Sequence, residues 1–176
     1  MVTERARATP TRLRAIRILD DTMGEVFSLF DRLSPRARST LGLGGGDWSP
    51  KDLLGHLESW QEYALEALDA WDEGHGPAID SVIWSTSTSA LNRDAVAGKA
   101  GRRAADQRRR SQATHERLIA RVEALSDARW RRPGTPRGRT PVGARLGDFL
   151  GGAAGPFRHA EAHLPQLRAF VARHGS

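Results

Sequence analysis

The segment His159-Ala160-Glu161-Ala162-His163 carries two histidines four residues apart. On a helix such a pair sits one above the other on one face, so the rings can converge on a single ion or proton. That is half of a metal or proton-transfer site, and a third group must come from elsewhere. His56, in Asp52-Leu53-Leu54-Gly55-His56-Leu57, is the best candidate because core-type residues flank it. Three imidazole nitrogens suit zinc or nickel and leave coordination positions open for water or substrate. Glu161 lies a third of a turn or more off the face of the two histidines and is not an obvious fourth ligand. Taken singly, each histidine also reads as a hydrogen-bonded core residue. The chain contains no cysteine, which excludes disulfides, thiolate catalysis and thiolate-held metals.

These side chains need helices to hold them. Over residues 11–33 apolar positions recur at Leu13, Ile16, Leu19, Met23, Val26, Phe27 and Phe30, a three-and-four spacing that predicts one long helix. Gly44-Gly45-Gly46 makes continued helix costly, and Asp47-Trp48-Ser49-Pro50-Lys51-Asp52 is a start signal. Ser49 caps, Pro50 suits the first helical position and Asp52 puts a carboxylate in the first turn. The second helix should run to residue 72 with Leu53, His56, Leu57, Trp60, Ala64 and Ala67 inward and Tyr63 at the margin. Residues 73–86 read as a long connection, and Trp84 within it either covers a bundle end as a lid or pocket wall or plugs the core.

A short helix opens near residue 90, and the segment 98–101 breaks it. A third long helix to residue 125 carries Ser111 and His115 on an otherwise apolar seam, where unpartnered polar groups would cost about 1–3 kcal/mol each. Pro-rich, basic residues 131–141 read as loop. The last helix is expected from about residue 142 to 173, with a kink or interruption one turn before His159 because Gly151-Gly152, Gly155-Pro156 and Pro165 lie inside it. Four long helical segments without strand alternation predict an all-α four-helix bundle over residues 11–176, behind a flexible leader at 1–10.

The 176 residues suit one domain. No apolar run approaches the roughly 20 residues of a membrane span, and the polar start lacks a signal-peptide core, so the expected location is the cytoplasm with no membrane partner. The net charge of +6 admits weak DNA binding. A solvated arginine-rich face is the preferred reading of the runs at 102–103, 108–110 and 129–139, because no recognised nucleic-acid module accompanies them. A homodimer is an open expectation.

The order Asp47-Trp48-Ser49-Pro50-Lys51-Asp52-Leu53-Leu54-Gly55-His56-Leu57, Trp60-Gln61-Glu62, Trp84, Leu91-Asn92, Thr114-His115, Leu146-Gly147-Asp148 and His159 to His163 resembles the ClbS/DfsB family of the DinB-like four-helix-bundle superfamily. The resemblance spans roughly residues 13–171. It implies a divalent-metal site at His56, His159 and His163. It also implies one of two activities. The first is self-protection by adding water to the strained electrophilic ring of a DNA-alkylating natural product, such as a cyclopropane, epoxide or aziridine, without a required metal. The second is metal-dependent thiol transfer or isomerisation. A non-catalytic protein that binds the drug or shields DNA is a third reading. In the metal-free form one of the three histidines, or His115, would act as general base. Trp60, Tyr63, Trp84 and Asn92 are the expected substrate-binding residues, with Trp48 adding to an aromatic cradle. Asn92 would hold a ligand carbonyl or cap a helix.

Overall fold

The computed structural model describes residues 9–175, so most of the expected leader lies outside the described residues. Among the described residues eight α-helices follow one another: α1 (Arg12–Asp31), α2 (Pro50–Asp72), α3 (Ala78–Ser85), α4 (Thr88–Ala97), α5 (Ala104–Glu123), α6 (Asp127–Arg131), α7 (Val142–Phe149) and α8 (His159–His174). Among the described residues there is no strand, only isolated bridges such as Leu33 with Gly175. The fold is the expected all-α bundle, with α1, α2, α5 and α8 as its long members.

Side-chain pairs set the directions. Arg12 reaches the carbonyl of Glu123, while Arg108 pairs with Asp31, so α1 and α5 run antiparallel. Gln107 donates to Glu58, and Arg121 donates to Asp69 at 2.9 Å, so α2 and α5 run parallel. Arg168 on Glu25, with the bridge at Leu33, makes α1 and α8 parallel too. Two consecutive long helices that run parallel require the chain to travel back the full length of α2, about 35 Å at about 1.5 Å per residue. Residues 73–103 make that return, which is why the connection is long. Residues 73–86 are not the plain connection expected from sequence, because α3 lies within them, while α4 stands where a short helix was expected near residue 90.

Of the kink or interruption expected before His159, the structure has the interruption. Residues 142–173 form two helices, α7 and α8. Gly155 has φ 122° and Phe157 has φ 62°, and neither conformation continues a helix. A left-handed phenylalanine costs about 1–2 kcal/mol and persists here because the ring is fully buried and stacks on Trp130 at 5.7 Å.

α2 is the central element. Its buried residues run almost all round the helix rather than along one stripe, because α5, α4, α7, α3 and α8 surround it. Among them Glu58 is only 2% exposed. Its carboxylate takes Arg102 at 2.8 Å, Lys99 at 3.2 Å and the Gln107 amide, so a buried ion cluster ties α2 to α5 and to the 98–103 turn. Lys99 also donates to the carbonyl of Gly55 at 3.2 Å, immediately before His56.

Candidate metal centre

α2 begins as the sequence dictates. Ser49 accepts from the Asp52 N–H at 3.3 Å, and Asp52 accepts from the Ser49 N–H at 2.9 Å, a reciprocal capping box with Pro50 behind the cap. This fixes the first turn, and His56 follows on the buried face of the second. Trp48, just before the cap, lays its ring 5.0 Å from that of His56, and its carbonyl accepts from the N–H groups of Gly42 and Leu43.

The other two histidines are presented by α8. His163 stands in its second turn on regular helix. His159 is its first residue, and the chain preceding it decides its position. The His159 N–H donates to Leu150 O at 3.0 Å, closing the loop between α7 and α8 on itself. Gly151 permits that closure: a Cβ there would lie 2.4 Å from Gly147 O.

The three rings meet. His56 Nε2 and His159 Nε2 are 2.9 Å apart, and one ligand nitrogen from each of His56, His159 and His163 lies within 4.8 Å of the others. The ring centroids of His56 are 4.7 Å from His159 and 5.2 Å from His163. Burial, then the charges of His159, His163 and Lys99, pushes the His56 pKa down to about 2. Burial, then His163, takes His159 down to about 3. Burial lowers His163 as well. All three rings are therefore neutral at pH 7, the protonation state a ligating imidazole requires. Three nitrogens on a tetrahedral ion at about 2.05 Å would stand about 3.3 Å apart, so the donor set fits zinc or nickel with side-chain shifts of a few tenths of an ångström to about 1 Å. The same depression makes the rings weak general bases, since a base works best with its pKa near the operating pH.

The trio forms one wall of a cavity of about 430 Å³, within the range of small-molecule sites. Trp48, Trp60 and Phe149 supply aromatic surface, Thr88 and Asn92 come from α4, and Gly151, Gly152, Ala153 and Ala162 keep the floor open. Among the described residues, Asp148 is the only carboxylate in the lining, and no lysine or arginine enters it. Trp60 Nε1 donates to Asn92 Oδ1 at 2.9 Å. That occupies the amide oxygen and leaves the Asn92 NH₂ as the group able to donate into the cavity. Asn92 caps nothing, because Ser87 caps α4.

Three expected site residues lie elsewhere. Trp84 is 89% exposed and lines neither the core nor the cavity. It stands five residues past Ile79, the buried anchor of α3, and so about 140° round the helix from the packed side. His115 is buried in the seam of α1, α2 and α5, between Gln61 at 3.3 Å and Asp20 at 3.4 Å, and does not reach the trio. Tyr63 packs edge-on behind Trp60 at 5.6 Å rather than against the cavity. Sequence reasoning missed Thr88, Phe149 and the carboxylate of Asp148 as lining. It also missed Gln166, whose side chain contacts His163 Nδ1 at 2.6 Å and whose place three residues along the same helical face was readable.

A four-helix bundle with three histidines converging between its second and last long helices defines the class. The family model of the DinB superfamily matches residues 3–167, and the chain belongs to that superfamily. No curated protein and no solved structure matches the chain significantly.

Proposed function

We propose that the protein is a hydrolase that opens the strained electrophilic ring of a DNA-alkylating small molecule by addition of water, with His56, His159 and His163 holding a zinc or nickel ion. The observation that carries this reading is the convergence of three neutral imidazoles on one wall of an aromatic-lined cavity. When bound, a divalent ion of this kind acidifies water to a pKa of about 7. The rest of the work falls to the chain's own residues. Trp48, Trp60 and Phe149 hold a flat apolar ligand and exclude bulk water. The Asn92 NH₂, its partner oxygen already engaged by Trp60, donates to a ligand carbonyl and orients the ring toward the histidines. Asp148, at the exposed edge of the lining, exchanges the protons that attack and ring opening require. Water gives up one proton, its oxygen bonds the ring carbon, the strained bond breaks, and the leaving atom takes up a proton.

The test is incubation of zinc-loaded and nickel-loaded protein with epoxides, aziridines and activated cyclopropanes in ¹⁸O-labelled water, read by mass spectrometry. A product heavier by labelled water, lost in His159→Ala, supports the reading. Unchanged compound across the panel overturns it. Product formed only when a low-molecular-weight thiol is added, and carrying that thiol, replaces it with the thiol-transfer activity that the same neutral trio would also support.

A further inference from the structure

Among the described residues, His163 is the one member of the trio whose Nδ1 has a side-chain partner: the Gln166 amide nitrogen Nε2 lies 2.6 Å away, while His56 Nδ1 is buried with no partner. With Nδ1 turned to Gln166, Nε2 is the nitrogen left to face an ion. Which tautomer His163 adopts then depends on which end of the amide meets it. If the NH₂ donates, Nδ1 must be bare and Nε2 carries the proton, which blocks it as a ligand. If the amide oxygen accepts, the proton sits on Nδ1 and Nε2 offers its lone pair. Here Nε2 faces His163 and Oε1 faces Gly44; a half-turn exchanges the two ends of the amide, and the hydrogen-bond network decides between them.

The amide is held from its far side too. It packs over Gly44 in the glycine turn, where an added Cβ would lie 2.4 Å from Gln166 Oε1. Gly44 has φ 64°, which favours glycine at that position, so the turn keeps a gap into which the amide fits. Ligating histidines in general donate their second ring N–H to an oxygen, and loss of that partner costs about 10–100-fold in metal affinity. We propose that Gln166 is a positioning residue of the metal centre: after a half-turn of its amide, the oxygen takes the Nδ1 proton of His163 and so presents the ring's Nε2 to the ion. This rests on the reading of the trio as a metal centre, and goes beyond it by assigning the residue that makes His163 competent.

Two variants separate this role from simple packing. Gln166→Glu can only accept at neutral pH, so it should lock the Nδ1–H form and match or exceed wild-type affinity. Gln166→Leu can do neither, and an imidazole without an Nδ1 acceptor reverts to its intrinsically favoured Nε2–H form, so affinity should fall about 10–100-fold. Zinc and nickel affinities are measured by competition with a chromogenic chelator, and the His163 tautomer by ¹⁵N shifts of the ring, with and without ion. The expected result is Nδ1–H in Gln166→Glu and in loaded wild type, and Nε2–H in Gln166→Leu. Equal losses in both variants, or ring shifts indifferent to residue 166, would overturn the assignment. The shifts of the ion-free variants decide the role of Gln166 even if no ion binds, an outcome that would end only the metal-centre reading.

Discussion

Acidification from pH 7 to pH 5 should strip much of the stability of this fold. The unfolded chain binds a proton at each histidine with a pKa of about 6.5, whereas folded His56 and His159 resist protonation down to about 2 and about 3. Between those limits the unfolded state binds more protons, so stability rises with pH and is lost as pH falls below about 6.5. Over the two pH units each ring forfeits about 1.9 kcal/mol, or about 4 kcal/mol for the pair, against a typical total of about 5–15 kcal/mol. His163 and His115, both lowered by burial, act in the same direction. His75 is raised by its hydrogen bonds to Gly76 and Glu73 and acts oppositely, but it is fully exposed and screened. The assay is urea unfolding in chelator at pH 5, 6, 7 and 8, following tryptophan fluorescence, for wild type, His56→Asn and His159→Asn. Each variant should flatten the pH slope by about half of the pair's share. Equal stability of wild type at pH 5 and pH 7 would refute the reasoning.

Glu58→Ala should destabilise by about 3–5 kcal/mol in urea unfolding, since it leaves Lys99 and Arg102 facing a buried site without their carboxylate. In Gly143→Ala the new Cβ would lie 2.2 Å from the buried Trp130 ring, so thermal unfolding should show a loss of about 1–3 kcal/mol from overpacking. Trp84→Ser should change unfolding free energy by less than about 0.5 kcal/mol, because the residue it replaces is 89% exposed.

What the sequence made legible was local. The Ser49–Asp52 box, Pro50 and the four-residue spacing of His159 and His163 each act within one turn, and each stands where its chemistry requires. The class of fold followed from helical periodicity. The failures share a physical cause, which is partnership across the bundle. Glu58 sits within an otherwise ordinary helical pattern, and only the return of the 98–103 turn brings two cations to bury it. His115 was rightly placed on a core seam that demanded a partner, but periodicity could not reveal that Gln61 and Asp20 satisfy it away from the other histidines. Trp84 lies on a helix of eight residues with a single buried anchor, too short for its packed side to be read from a repeat.

The two kinds of legibility meet at His159. His56 and His163 ride on regular helix, so their rings are placed by cap and periodicity. His159 is placed by the loop from Leu150 to Arg158, and hence by a left-handed Phe157 held in place by its stack on Trp130. Trp130 in turn leans on Gly143 and donates to Pro10 O at 3.1 Å, well away from the cavity. The third nitrogen of the trio therefore answers to packing outside the cavity. Exchange of residues in that loop can change the spacing of the trio and the floor of the cavity together, while both helices that carry the other two histidines stay as they are.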